Sequence, residues 1–317
     1  MAENSKIEWC DHTFNPWIGC TKVGPGCDGC YAARQDAFRR WTPEGWGGPR
    51  RRTSDTTWKD PGKWNAQAER EGRRFRVFCA SLADVFDNQV PAGWRRDLFN
   101  LILSTPHLDW LLLTKRIGNA ARMIAETLPD NIKALPADHP LAWPWPHVWI
   151  GATVVNQEEA DRDIQKLLAV PARVRFLSIE PMLGPIDLTR IDIDGDLEIY
   201  PLKGTTDCVD GEGDPCADVP ALDWVIAGGE SGPHARPMHP DWARSLRDQC
   251  AEAGVPFLFK QWGEWIPMMG HAEGVPVRGE KHRHPDGTYM GWAGKKAAGR
   301  LLDGVEHNGF PHPTDTR

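Results

Sequence analysis

The sequence predicts an α/β fold, with a largely parallel sheet and helices outside it. Three observations predict it. From residue 75 onward, short apolar runs alternate with segments whose apolar residues recur every three or four positions. Polar residues cluster just after the apolar runs, at the carboxyl ends of the predicted strands, where such sheets bind ligands. The chain has 317 residues, enough for one large core or two smaller ones. Alternation alone does not separate an open sheet from a partial or complete (β/α) barrel.

In chain order, residues 1–19 are a lead-in with a short strand expected at 7–9 and a turn at Asn15-Pro16. A helix is expected at 31–40, with Ala32, Ala33, Ala37 and Phe38 as its apolar positions. Residues 39–76 carry eleven Arg or Lys against five Asp or Glu, and include Trp41, Trp46, Trp58 and Trp64. This segment reads either as a solvated loop or as a phosphate clamp. In the second reading Arg50, Arg51 and Arg52 contact phosphates and tryptophans stack on bases.

The repeat then begins. Strands are expected at 75–79, 110–113, 148–152, 174–178, 223–227 and 256–259. Helices are expected at 94–103, 120–128 and 157–168, with a last one capped by Asp241 and stopped by Gly254. Residues 129–147 are proline-rich and irregular. Residues 187–223 hold eleven acidic and two basic residues and read as a solvated surface insertion. Cys208 and Cys216 within it could pair or hold a second metal. Residues 266–293 look loop-like, with His271, His282 and His284, and a small basic helical patch follows at Lys295, Lys296 and Arg300, over Leu301 and Leu302. The expected organisation is one α/β domain over 1–265 and a C-terminal extension over 266–317.

Composition bounds the function. The net charge is −7 and the mean hydropathy is −0.50. No apolar run is long enough to span a membrane, and the start lacks a basic region followed by an apolar one. Eight clustered cysteines in a chain of this size argue against a secreted disulfide scaffold, so a reducing cytoplasm is expected. The acidic balance opposes a general nucleic-acid coat, although a local basic patch survives it.

The most informative segment is CTKVGPGCDGCY, where Cys20, Cys27 and Cys30 form a C-x6-C-x2-C spacing. Glycine and proline between them let the segment curl tightly. A cubane iron–sulfur cluster held by three thiolates keeps one iron open to another ligand. The spacing also fits a partial zinc site completed by Cys10 or His12, a disulfide pair at Cys27 and Cys30, or buried thiols without a shared ligand.

The run IEWCDHTFNPWIGCTKVGPGCDGCYA resembles the signature of a phage- and prophage-associated family of three-cysteine-motif proteins. That family is of unknown function and is thought to be related to radical S-adenosylmethionine (SAM) enzymes. The likeness continues through VFCASLADVFD, LLLTKR, VWIGATVVNQ, FLSIEPMLGPIDL, WVIAGGESG, FLFKQWGEW and GKKAAGRLLDG, and so covers most of the chain. The resemblance implies a (β/α) barrel and a [4Fe–4S] cluster on Cys20, Cys27 and Cys30, with SAM on the open iron and an electron donor as partner. Two features depart from the commonest radical SAM pattern. The first gap is six residues rather than three, and the aromatic residue, Tyr31, follows the last cysteine, while Gly29 precedes it.

The cofactor-binding candidates are Tyr31, Ser81, Asp84, Thr153, Asn156, Gly228, Gly229 and Glu230. Lys115, Arg116, Glu180, Arg236, Lys260 and Gln261 are catalytic or substrate-binding candidates. Each of these polar residues equally suits a helix cap or a loop strut. The expected function is a radical SAM enzyme, with nucleic acid or a nucleotide as substrate. A non-catalytic zinc module that binds nucleic acid or protein, and an iron–sulfur redox or electron-transfer protein, are the alternatives.

Overall fold

The computed structural model describes residues 3–193, 195, 197–208, 215–269, 275–277 and 279–311. His271 and the side chains of Cys208 and Cys216 lie outside the described set. The chain forms two compact units. The first comprises Met1–Val23, Ala32–Ala152 and Ala169–Val174, and the second Gly24–Tyr31, Thr153–Leu168 and Arg175–Arg317. Residues on both sides of position 265 therefore lie in the second unit.

The first unit is built on four parallel strands in the order β1 (His12–Thr13), β4 (Phe75–Cys79), β5 (Leu108–Thr114) and β6 (Val148–Thr153). Strand β5, LDWLLLT, is buried along nearly its whole length, as a strand covered on both faces must be. Helices α3 (Ala92–Leu103) and α4 (Ile117–Thr127) bury Leu98, Phe99 and Ile102, and Ile117, Ala120, Met123 and Ile124. The first strand is not at 7–9 but at His12–Thr13, where the amides of Asp11 and Phe14 extend the ladder to the carbonyls of Arg76 and Phe78.

Two other expectations for this unit are corrected. Residues 39–76 are not mainly loop. Strand β2 (Trp17–Ile18) pairs antiparallel with β3 (Arg51–Arg52), and a 17-residue helix α2 (Asp55–Glu71) follows. Ser54 caps α2 by accepting from the Thr57 amide, and Gly72 ends it in the left-handed conformation. Its tryptophans serve packing: Trp64 is buried and stacked on His12 at 4.4 Å, and Trp58 meets Phe14 edge-on at 5.6 Å. Helix α1 (Tyr31–Arg39) buries Ala32 and Asp36, whereas Phe38 is 87% exposed. Asp36 turns inward because it accepts from the amide and hydroxyl of Thr42. Within the irregular 129–147 stretch, α5 (Asp130–Lys133) is a single helical turn.

The second unit contains three parallel strands in the order β7 (Val174–Ile179), β12 (Trp224–Gly228) and β13 (Phe257–Gln261). Helices α6 (Gln157–Leu168) and α7 (Pro240–Ala253) accompany them. The α/β class with parallel strands and outer helices is thus the one the alternation predicts.

The expected solvated insertion is instead an antiparallel sheet. It runs β11 (Pro215–Asp218), β10 (Thr205–Cys208), β9 (Leu197–Tyr200), β8 (Ile191–Ile193), with Ile191, Ile199, Leu202 and Leu222 buried. Apolar residues interleaved with the acids supply one packed face. The 266–293 stretch likewise forms β14 (Trp265–Pro267), β15 (Lys281–Arg283) and β16 (Tyr289–Trp292), antiparallel with β16 central. Helix α7 is capped by His239 rather than Asp241, because Pro240 takes the first helical position and the His239 ring accepts from the Asp241 amide. Helix α8 (Lys295–Ala298) is one turn, and of the leucines beyond it Leu302 is buried while Leu301 is 40% exposed.

Candidate functional site

Cys20 belongs to the first unit, and Cys27 and Cys30 to the second. Cys20 follows β2 through Gly19, whose φ of +110° favours glycine. The Gly19 amide donates to the Leu82 carbonyl and the Cys20 amide to the Trp46 carbonyl. One side-chain cation attends the sulfur. Arg116, just past the end of β5, donates from Nη2 to the Thr21 carbonyl at 2.8 Å and lies 3.8 Å from Cys20 Sγ. The same nitrogen is 3.9 Å from Asp87. Burial pushes the Cys20 thiol up to about 12; Asp84 and Asp87 add to the rise, and Arg116 and Arg50 oppose it.

The other strand-end residues of this unit hold one another. Buried Asp84 accepts from the Thr114 hydroxyl at 2.7 Å and from the amides of Lys115 at 3.1 Å and Phe86 at 2.9 Å. Burial still raises its carboxyl above the ordinary range. Ser81 and Asn15 bond through their side chains at 3.0 Å, while Asn15 Oδ1 also takes the Leu82 amide. Lys115 differs: its ammonium has no partner among the described residues, and it is half-buried at the carboxyl end of β5.

The proposed phosphate trio is corrected. Arg50 is buried, with no exposed side-chain surface. It donates from Nε and Nη2 to Asp87 at 2.7 and 2.6 Å, and also to the Gly48 carbonyl and Thr21 hydroxyl. A guanidinium committed to three acceptors in the interior cannot meet a phosphate. Arg52 lies over the Trp58 ring at 4.0 Å and pairs with Asp97 at 2.9 Å. Arg51 is the exposed member of the three.

In the second unit, a 3-10 turn at Pro25–Cys27 shapes the other cysteines. The Cys27 amide donates to the Gly24 carbonyl and the Cys30 amide to the Cys27 carbonyl. Two carboxylates press against this turn. A Cβ on Gly24 would stand 2.6 Å from Glu159 Oε1, and one on Gly29 would collide with Glu230 Oε1. Glu230 is buried and chelates Arg236: Nε and the Arg236 amide donate to Oε2 at 2.8 Å, and Nη2 donates to Oε1 at 2.7 Å. Arg236 Nη2 also donates to the Pro25 carbonyl at 2.9 Å, and Nη1 lies 3.5 Å from Asp28.

The remaining strand-end candidates form a second polar group. Glu180, after β7, accepts from Lys260 Nζ at 2.7 Å and from Gln261 Nε2 at 3.0 Å. Gln261 Nε2 also donates to Ser231 Oγ, while its buried Oε1 has no hydrogen-bond partner among the described residues. Thr153 is buried at the end of β6, and Tyr31 is 45% exposed at the start of α1. Asn156 caps α6 by accepting from the Glu159 amide, and Glu159 returns a carboxylate to the Val155 amide. Gly229 is required by packing, since a Cβ there would collide with the Trp262 carbonyl. In the sheet, the Gly228 carbonyl takes the Met182 amide.

Three further places bear on metal binding. Cys10 and His12 sit at the opposite end of the strands from Cys20. The Asp11 amide bonds the carbonyl of Arg76, whose partner on β5 is Asp109. From Asp109 to Thr114 the strand rises about 16 Å before Arg116 is reached. His12 is fixed against Trp64 and Phe75, and Cys10 Sγ donates to Ser5. Neither can complete a zinc site with Cys20. A cleft of about 380 Å³ opens at this far end, lined by Ser5, Cys10, Asp11, His12, Arg73 and Arg76, and holds none of Cys20, Cys27, Cys30 or the strand-end candidates. In the second unit, ligand atoms of His239, Asp241 and Asp286 lie within 4.8 Å of one another. His239 Nδ1 accepts from the Asp241 amide, so the neutral ring carries its proton on Nε2 and donates it to Asp286 at 2.9 Å. No ring lone pair is left for a metal, and the group is a helix cap.

Sequence reasoning missed Asn15, Thr21 and Glu159 as partners of the site residues. It also missed that Glu230 and Arg236 serve the cysteine turn. Their opposite charges six residues apart in a glycine-rich stretch were the available signal.

These features define a parallel-stranded α/β protein with a three-thiol segment gripped by carboxylate-fixed arginines. Over residues 4–311 the chain matches the family described as protein of unknown function (DUF5131), and it belongs to that family. No curated protein and no solved structure matches it.

Proposed function

We propose that the protein is an iron–sulfur enzyme of radical SAM type, in which Cys20, Cys27 and Cys30 hold a [4Fe–4S] cluster. The observation that carries this reading is the treatment of the three thiols. None is joined in a disulfide, Cys27 and Cys30 lie on a hydrogen-bonded turn, and Arg116 stands beside the Cys20 sulfur. The donor chemistry supports this reading: soft thiolates suit iron–sulfur clusters, and a guanidinium beside a sulfur offsets negative charge. When bound and reduced by a donor protein, such a cluster supplies the electron for cleavage of SAM. Three protein ligands leave room for that cosubstrate.

The chain's own residues supply the rest. Lys115 offers an unpartnered ammonium to an anionic group, either the SAM carboxylate or a phosphate of a nucleotide substrate. Glu180 and Lys260 present a paired carboxylate and ammonium at the ends of β7 and β13. Arg116 and Arg236 hold the cysteine segment.

The test is metal and sulfide quantification on anaerobically isolated protein. About four irons and four sulfides per chain are expected, lost when the three cysteines become alanine. SAM is expected to change the electron paramagnetic resonance spectrum of the reduced protein. One zinc and no iron would overturn the proposal. Iron without any response to SAM would leave an electron-transfer centre in its place.

A further inference from the structure

Glu230 and Arg236 were expected to touch cofactor or substrate. Their contacts point elsewhere. Among the described residues, the Arg236 donors go to Glu230, to the Pro25 carbonyl or toward Asp28. Glu230 is spent on Arg236 and on the surface left by the missing Gly29 side chain. Its backbone carbonyl takes the Glu264 amide, and Gly263, at φ +82°, packs against the same carbonyl. The carboxylate is therefore anchored behind by β-strand ends and presents its face to the turn that carries Cys27 and Cys30.

We infer that Glu230 and Arg236 are positioning residues, a latch that sets the conformation of the Cys27–Cys30 turn and so governs how firmly that turn holds its inorganic group. The inference rests on the iron–sulfur reading above. The physical argument is geometric. A 3-10 turn of three residues has few hydrogen bonds of its own. Its shape is imposed by the guanidinium on the Pro25 carbonyl and by the carboxylate under Gly29. Arginine suits this place because its planar fork reaches a carboxylate and a carbonyl together, which a lysine cannot do. Gly29 is required because any side chain would displace Glu230 from Arg236.

The experiment compares anaerobically purified wild type with Glu230→Gln, Arg236→Lys, Gly29→Ala and the double variant Gly29→Ala/Glu230→Ala. Iron release to a chelator is timed, and folding is followed by far-ultraviolet circular dichroism. All four variants are expected to fold and to release iron at least about tenfold faster than wild type, the scale on which residues supporting metal ligands act. The double variant is the discriminating case. If Glu230 merely fills space, removing it makes room for the alanine and restores iron retention. If it is a latch, retention stays low. Wild-type release rates in folded Glu230→Gln and Arg236→Lys, or recovery in the double variant, would overturn the latch. A wild type that binds no iron would instead overturn the iron–sulfur reading on which the latch rests. Should Glu230→Gln fail to fold, Arg236→Lys keeps the charge and the Glu230 carboxylate, and decides the question.

Discussion

Replacing Arg50 by methionine separates two accounts of the Arg50–Arg52 run. In the structure Arg50 is an interior residue whose Nε and Nη2 both face Asp87 Oδ2, with side-chain exposures of 0% and 3%. Arg50→Met leaves Asp87 buried, with the Gln89 amide at 3.0 Å and Arg116 no nearer than 3.9 Å. Breaking one partner of a buried ion pair costs about 3–5 kcal/mol. With a urea m-value of about 3 kcal/mol/M, the unfolding midpoint should fall by roughly 1–1.7 M. The double variant Arg50→Met/Asp87→Asn should recover part of the loss, because the uncompensated charge is gone. Equilibrium urea unfolding followed by tryptophan fluorescence measures both. A phosphate-binding Arg50 predicts the reverse pattern, with an unchanged midpoint and weaker, less salt-sensitive binding to single-stranded DNA. A midpoint within 0.2 M of wild type, on the order of 0.5 kcal/mol at that slope, would refute the argument from burial.

Lys115→Met should leave the unfolding free energy within about 0.5 kcal/mol of wild type, since the ammonium has no partner among the described residues, yet weaken SAM binding measured by calorimetry on cluster-loaded protein. Unchanged affinity would remove Lys115 from the site. Gly229→Ala drives a Cβ into the Trp262 carbonyl, a backbone atom that cannot step aside, so a loss of more than about 3 kcal/mol is expected; a soluble variant with wild-type melting would contradict this. Asp286 is held down to about 2, first by the Thr288 amide and hydroxyl and then by His239. A carboxyl depressed in the folded state stabilises fully above its unfolded value of about 3.9 and loses that contribution as pH falls toward 2. Melting curves from pH 5 to pH 2 should therefore drop less steeply for Asp286→Asn than for wild type, and parallel curves would count against it.

The parallel strands were legible because period and length both speak there. A run such as LDWLLLT has no polar face and fits a strand covered on two sides. The 187–223 segment was misread because its acids dominate the composition, while the buried residues, Ile191, Ile199, Leu202 and Leu222, are few and spread over turns. Helix α2 was missed because tryptophan, glycine and arginine looked like a rim, although Ser54 and Gly72 mark its two ends. Strand-end polar residues were correctly located but their partners were not. Asp84 meets Thr114, and Glu180 meets Lys260, across strands far apart in sequence. Periodicity carries no information on such pairs, because strand order, not spacing, brings them together.

The same device secures both parts of the cysteine segment. Arg116 takes the Thr21 carbonyl beside Asp87, and Arg236 takes the Pro25 carbonyl while chelated by Glu230. Each guanidinium thus joins a loop carbonyl to an acidic side chain. This arrangement answers an electrostatic difficulty. Burial pushes the Cys20 thiol up to about 12, and in the proposed cluster site ligation would release its proton and leave a thiolate in a poorly solvated place. Burial is the larger influence, and Asp84 deepens it; Arg116 opposes both. A cation with no counter-ion would ease that charge but would itself be costly to bury. Pairing Arg116 with Asp87 limits the cost, and the 3.9 Å separation leaves the guanidinium field directed in part at the sulfur. Arg236 is bound more tightly to its carboxylate, at 2.7 Å, and its partner contact on the loop is a carbonyl. The two arginines therefore differ in setting: Arg116 stands beside a sulfur, and Arg236 joins a turn carbonyl to a buried carboxylate.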